Sequence, residues 1–160
     1  MTIKAGDKVP SATLKVMTAD GPAGVSTDEL FGKGKVVLFS VPGAFTPTCS
    51  ARHLPGFVDH AAAIKAKGVD RIVCIAVNDV FVMNAWGKSA NVGDSIVMAA
   101  DGNGEFTRAL GLELDATGFG MGKRGQRFAF ISEDGVVKGL FVEAPGEFKV
   151  SAAEYVLGQL

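Results

Sequence analysis

Apolar positions along this chain follow two different periods. Val36-Val-Leu-Phe-Ser40 and Arg71-Ile-Val-Cys-Ile-Ala-Val77 are short, nearly unbroken apolar runs rich in β-branched residues, the pattern of strands buried on both faces. Between them Leu54, Phe57, Val58, Ala61 and Ile64 recur at helical spacing. They predict a helix from about Thr48 to Lys67 with a buried stripe, closed by Gly68. Pro55 falls inside that helix and predicts an irregularity just N-terminal to it, because its ring clashes with the carbonyl four residues back. Asp79 caps a second helix reaching about Ala90 that carries Phe81, Val82, Ala85 and Trp86, of which Phe81 and Trp86 read as core. Ser95–Ala100 reads as a strand and Glu105–Leu110 as a short helix. Gly118–Gly125 is a glycine-rich loop, and Arg127–Ser132 and Val136–Val142 flank Glu133-Asp134-Gly135, a hairpin signal. Ser151 with Glu154 reads as a capping box for a C-terminal helix. The segment before Val36, punctuated by Gly21-Pro22-Ala23-Gly24 and Gly32-Lys33-Gly34-Lys35, reads as short extended pieces.

Strand–helix–strand units need parallel neighbours with right-handed crossovers, whereas the late hairpin adds antiparallel strands. The order therefore predicts an α/β fold, a mixed central sheet with helices on both faces, of thioredoxin-like architecture. At 160 residues the chain is expected to be a single domain over residues 1–160. No repeat or low-complexity tract interrupts it.

Composition narrows the function classes. Sixteen Lys and Arg stand against 17 Asp and Glu, a net charge of −1, which argues against nucleic acid or an anionic membrane as partner. The longest apolar runs are strand-sized, far short of the ~20 residues that span a bilayer. The N-terminus lacks a secretion-signal stretch and is poor in arginine, so a cytoplasmic location is expected. Two cysteines are too few for a disulfide scaffold, so any role they have is chemical or merely apolar.

Cys49 stands where the predicted helix follows the C-terminal end of a buried strand, the edge at which α/β sheets place ligands. Unpaired N–H groups and the partial positive charge of a helix start favour an anion there, so the thiol is expected to lose its proton more readily than a free cysteine. Thr46, three residues earlier, can hydrogen-bond the sulfur or an incoming oxygen; Pro42 and Pro47 stiffen the loop, and Gly43 allows close backbone approach. The polar and proline flanks predict an exposed, reactive site rather than a small buried hydrophobe.

The run Pro42-Gly-Ala-Phe-Thr46-Pro-Thr-Cys49 resembles the active-site signature of the peroxiredoxins. Its continuation through Ser50, His53, Leu54, Pro55, Gly56 and Phe57 is similar to the atypical branch called type 5 or plant type II, as are Val77–Trp86 and Arg124-Gly-Gln-Arg127-Phe. The likeness covers nearly the whole chain. It implies a thioredoxin-like fold and a thiol peroxidase acting on hydrogen peroxide and small organic hydroperoxides. Cys49 would attack a peroxide oxygen and become a sulfenic acid, and Thr46 would hold the peroxide in line. Pro42 would shield the thiolate, and backbone N–H groups near Gly43 and Cys49 would bind the peroxide. Arg127 by its residue pattern alone is a surface charge at a strand end; the resemblance makes it the guanidinium that stabilises the thiolate and the developing oxyanion. A homodimer is implied, with Phe45 and the Phe81–Trp86 stretch near its interface. No cofactor or metal is expected.

Cys74 is the other thiol. It is either a buried apolar residue or, as in some relatives, the resolving cysteine. Roughly 10 Å of strand separates it from the active edge, while a disulfide needs Cα atoms within about 7 Å, so pairing requires the first turn of the Cys49 helix to unwind. The expected reductant is an external thiol, glutathione with glutaredoxin or thioredoxin. The rival readings are a peroxide-sensing relay protein without sustained turnover, and a structural or holdase-like assembly in which Cys49 is incidental. Cys49, His53 and His60 share a helical face, but eleven residues at about 1.5 Å each put His60 ~16 Å from Cys49, too far for one ion. His53 itself reads as an exposed helix histidine. The Gly118–Lys123 loop lacks the spacing and the Ser/Thr of a phosphate loop.

Overall fold

The strands predicted from unbroken apolar runs lie at the centre of the molecule. The computed structural model describes residues 1–160. Its first half runs β1 (Thr13–Thr18), β2 (Gly21–Ser26), α1 (Thr27–Phe31), β3 (Lys35–Ser40), a π-helical turn (Cys49–His53), α2 (Leu54–Ala66) and β4 (Val69–Ala76). The second half runs α3 (Val80–Ser89), β5 (Val97–Ala100), α4 (Glu105–Leu110), β6 (Glu113–Asp115), a 3-10 turn (Thr117–Phe119), β7 (Lys123–Gly125), β8 (Phe128–Glu133), β9 (Val136–Val142) and α5 (Ala153–Gly158). Seven strands form one sheet in the order β2-β1-β5-β4-β3-β8-β9, and β6 pairs with β7 apart from it.

β3, β4 and β5 are parallel, and β8 and β1 join them antiparallel. This is the expected mixed thioredoxin-like sheet. Alternate residues of the central strands bury on opposite faces. Val37 and Phe39 of β3 and Ile72 and Cys74 of β4 pack under α2, α3 and α5. Val36, Leu38, Val73 and Ile75 face α1 and α4 in a second core. Phe39 stacks flat on Phe57 of α2, with ring centroids 4.0 Å apart, which fixes α2 over the C-terminal half of β3.

Most local signals act as predicted. Asp79 caps α3, its carboxylate accepting from Val82 N at 2.9 Å. Asp134 and Gly135 both take positive φ, 49° and 82°, so the β8–β9 connection is the two-residue turn whose twist matches the strands. The expected irregularity before Pro55 is the π-helical turn: Leu54 N–H reaches back to Cys49 O instead of Ser50 O, because Pro55 offers no N–H and its ring crowds Ala51 O.

Several local expectations fail, among them the Gly118–Gly125 loop, which contains β7. Ser151 does not cap α5; Ala152 holds that position without a side-chain bond, because the Ser151 hydroxyl donates to Glu143 at 2.7 Å. The N-terminal segment contains a short helix, α1, capped by Ser26 through Glu29 N. Phe81 is not core: it is 64% exposed, whereas Trp86 is buried, because one residue on this short helix faces out between Val80 and Met83, which face in.

Candidate active site

Cys49 opens the π-helical turn directly after the loop that leaves β3. Its side chain is buried, contrary to the exposed site expected from its polar and proline flanks. The reason is packing: the turn is drawn down onto β3, and Cys49 joins the core cluster with Phe39, Leu54 and Phe57. What reaches the sulfur is a charged group. Arg127, just before β8, donates from Nη2 to Cys49 Sγ at 3.2 Å. β8 pairs antiparallel with β3, Phe128 lying opposite Ser40, so the start of β8 meets the end of β3 beside Cys49. Arg127 is half-buried there and not the surface charge that its strand-end position suggests.

The other guanidinium nitrogen meets a histidine. Arg127 Nη1 lies 2.8 Å from His53 Nδ1, and His53 Nε2 lies 3.0 Å from Ser151 O. His53 is fully buried rather than exposed. A carbonyl can only accept, so Nε2 carries the proton and Nδ1 presents its lone pair to Arg127. Burial first, and then the charge of Arg127, push the His53 pKa down to about 3, so the ring stays neutral. Phe148 closes the cluster from the side, its ring 5.0 Å from His53 edge-on and 5.8 Å from the Arg127 guanidinium. The group is not visible as a unit in the sequence because its members come from three separate segments, Cys49–His53, Arg127 and Phe148–Ser151.

The loop before Cys49 is held from several sides. Thr46 Oγ1 donates to Gly43 O at 2.7 Å, which leaves the hydroxyl oxygen free to accept. Ala44 N donates to Asn78 Oδ1 at 2.9 Å, tying the loop to the end of β4. Arg124 donates to Pro42 O at 3.3 Å and to Met121 O at 2.9 Å. Gly43 sits in tight space: a Cβ there would come within 2.9 Å of Arg124 Nη1 and 3.1 Å of Thr46 Cγ2, so the Arg124 guanidinium would have to shift off Pro42 O. On the far side, Trp86 Nε1 donates to Ser50 Oγ at 2.9 Å and holds the turn from α3. Neither Arg124 nor Asn78 carried a sequence signal for its role.

Cys74 lies in β4 opposite Phe39, fully buried and in the same core cluster as Cys49. Burial, and then charge on Cys49, push its thiol pKa well above the ordinary value, so Cys74 is a poor nucleophile where it stands. Both cysteines are free. No group of three or more His, Cys, Asp or Glu is arranged to hold a metal ion, and no helix is long and apolar enough to cross a membrane.

A buried cysteine sulfur gripped by a guanidinium, at the helical turn after a central strand of this sheet, defines a thiol-based redox protein. Comparison with known proteins specifies which. The Redoxin family model matches residues 4–157. Peroxiredoxin-2E-2, chloroplastic, from Oryza sativa subsp. japonica is 51% identical over 99% of this chain and 73% of its own length. Peroxiredoxin-2B from Arabidopsis thaliana is 47% identical over 99% of this chain and 98% of its own. A reduced peroxiredoxin from Vibrio vulnificus, solved in complex with hydrogen peroxide, superposes with a TM-score of 0.95 at 52% identity, covering 99% of both chains. The chain belongs to the redoxin family and, within it, to the peroxiredoxins of the plant type II and type 5 branch, which are thiol peroxidases.

Proposed function

We propose that the protein reduces hydrogen peroxide and small organic hydroperoxides through a sulfenic acid on Cys49. The observation that carries this reading is the 3.2 Å contact from Arg127 to the Cys49 sulfur beside Thr46 and Gly43. The Cys49 thiolate attacks the terminal peroxide oxygen in line with the O–O bond. A sulfur lone pair forms the S–O bond as the O–O bond breaks, and the O–O bonding pair leaves with the second oxygen, so sulfur is oxidised and the peroxide reduced by two electrons. That oxygen takes a proton and departs as water or an alcohol, leaving Cys–SOH. Thr46, whose proton is engaged by Gly43 O, accepts a hydrogen bond from the peroxide. Arg127 stabilises the charge moving from sulfur to oxygen, Pro42 shields the sulfur, and backbone N–H groups at Gly43 and Cys49 bind the peroxide.

The sulfenic acid is reduced by an external thiol, glutathione with glutaredoxin or thioredoxin. Burial of Cys74 supports this: Cys74 acts as a resolving thiol only if the π-helical turn unwinds. The protein works as a cytoplasmic homodimer, with the exposed Phe45 and Phe81 on the paired face; sedimentation equilibrium and cell fractionation test these two points.

Turnover with hydrogen peroxide or tert-butyl hydroperoxide, supplied with either reductant, tests the assignment. Cys49→Ser is expected to abolish peroxide consumption, and Cys74→Ser to retain turnover with glutathione and glutaredoxin. Full activity in C49S overturns the assignment, and complete loss in a folded C74S overturns external resolution. A wild-type protein that oxidises once at Cys49 and never turns over is a sensor instead.

A further inference from the structure

The Arg127–His53 pair continues beyond the site. Glu143 directly follows β9 and is buried. Its backbone N–H donates to Arg127 O at 3.0 Å. One carboxylate oxygen, Oε2, accepts from Lys149 N at 2.7 Å, Ser151 N at 2.9 Å and Ser151 Oγ at 2.7 Å. These three bonds fold segment 144–150 back on itself and fix Ser151, whose carbonyl then accepts from His53 Nε2. Burial pushes the Glu143 carboxyl up, but the hydrogen bonds from Ser151, and then Lys149, outweigh it and hold its pKa below the ordinary value.

We propose that Glu143 is a remote positioning residue for the peroxidase reaction, setting the aim of Arg127 at Cys49 through Ser151 and His53. The proposal rests on the peroxidase reading above. Every link has one direction. The carboxylate accepts, so Ser151 donates and its carbonyl is held still. That carbonyl accepts, so His53 is protonated at Nε2 and bare at Nδ1. The bare nitrogen accepts from Arg127 Nη1 at 2.8 Å, and the rigid guanidinium plane then points Nη2 at the sulfur. If Ser151 moves, His53 loses its only fixed acceptor and is free to protonate at Nδ1 instead. That tautomer sets an N–H against the N–H of Arg127, and two facing donors push the guanidinium off the sulfur. No proton passes along the chain; the effect is one of orientation.

The role assigned to Glu143 is that of an acceptor, not of a charge. Glu143→Gln can place its amide oxygen where Oε2 lies and keep all three donors, whereas Glu143→Asp keeps the charge but withdraws the oxygen by one methylene. Glu143→Ala removes the acceptor. The second-order rate of Cys49 with hydrogen peroxide is expected to fall up to about a hundredfold in E143A, as a misplacement of about 1 Å caused far from the reacting atoms does. E143D is expected to fall nearly as far, and E143Q less than about threefold, since only the charge assistance of the bonds is lost. The rate with iodoacetamide supplies a readout that mere loosening would move the other way. Loosening exposes the buried sulfur and raises the iodoacetamide rate without slowing peroxide, whereas a mis-aimed guanidinium slows peroxide outright and alkylation less, so a ratio that falls because the peroxide rate itself falls marks mis-aiming.

The chain of action is checked in a His53→Leu background. There E143D is expected to have no further effect on the rate ratio, although it still lowers the melting temperature. An unchanged ratio in folded E143D, a rank order in which E143D exceeds E143Q, or an equal effect of E143D with and without His53 would each overturn the proposal. E143D and E143Q keep the test decisive even where E143A fails to fold. Absence of Cys49-dependent turnover in the wild type would instead sink the peroxidase reading itself.

Discussion

Arg127 directs its two terminal nitrogens to different partners, Nη2 to Cys49 Sγ at 3.2 Å and Nη1 to His53 Nδ1 at 2.8 Å. A lysine ammonium is a single point on a flexible stem and cannot be locked by one partner while it faces the other. Arg127→Lys is therefore expected to slow the reaction of Cys49 with peroxide by about a hundredfold to a thousandfold, as removal of one preorganised transition-state donor does. The melting temperature should stay close to that of the wild type. Stopped-flow fluorescence reads the rate directly, because Trp86 is the sole tryptophan and is tied to Ser50 in the reactive turn. A variant within threefold of the wild type would remove Arg127 from the chemistry. Distance along the chain decides which of these residues can be read from sequence. Pro42, Gly43, Thr46 and Cys49 fall within one short run, so their spacing is itself a signal. His53 is fixed by partners 74 and 98 residues away. Its spacing of four and eight residues from Phe57 and Ala61 puts it at the edge of the buried stripe, but a polar ring next to Arg52 reads as an exposed helix position until its distant partners are known.

The element that carries Cys49 is a π-helical turn, and two opposing influences act on it. Pro55 removes an N–H and displaces a carbonyl, so Cys49–His53 lacks part of the regular helix ladder. Trp86 of α3 supports the same turn from outside through Ser50, with Phe45 packed against the indole at a centroid distance of 6.5 Å. Ser50→Ala leaves the fold intact and removes this bond, worth about 1 kcal/mol net, so the opened turn should become about fivefold more populated. Hydrogen exchange of the Cys49–Leu54 amides is expected to quicken by that factor while the amides of β3 and β4 are unaffected. Equal exchange in variant and wild type would show that the Trp86 bond does not hold the turn. Elements with long apolar signatures, such as β3, α2, β4 and the β8–β9 hairpin, are legible in sequence to within a residue or two at most ends. α1 is five residues and β6 and β7 are three each, too short for any period to show. The failed capping box at Ser151 has a different cause. Its local pattern is sound, but a carboxylate eight residues upstream competes for the hydroxyl and wins.

At the scale of the whole molecule, the fold follows from strands buried on both faces, because β3 and β4 can be apolar at consecutive positions only if helices cover each side. That inference needs no knowledge of the site. The site, however, places a demand on the fold, since one of the two large cores contains a neutral histidine. Below pH 6.5 the unfolded chain takes up a proton at His53, whereas the folded chain excludes it until about pH 3. Between those values the unfolded state binds more protons, so stability rises with pH and is lost on acidification. One group contributes a slope approaching 1.4 kcal/mol per pH unit in the middle of that window. Carboxylates such as Glu143, whose pKa is also lowered, add to the loss only nearer their own range, below about pH 5. Urea unfolding between pH 5 and 6 therefore isolates the histidine. The wild type is expected to lose stability across that interval, and His53→Gln to lose less by nearly the full contribution of one proton. The glutamine amide spans the same acceptor and donor positions, bonding Arg127 and Ser151, but has no proton to gain. Identical pH slopes in the two proteins would mean that the His53 ring ionises inside the folded protein, and the one-way hydrogen bonding from Ser151 to Arg127 would then break down in the same pH range.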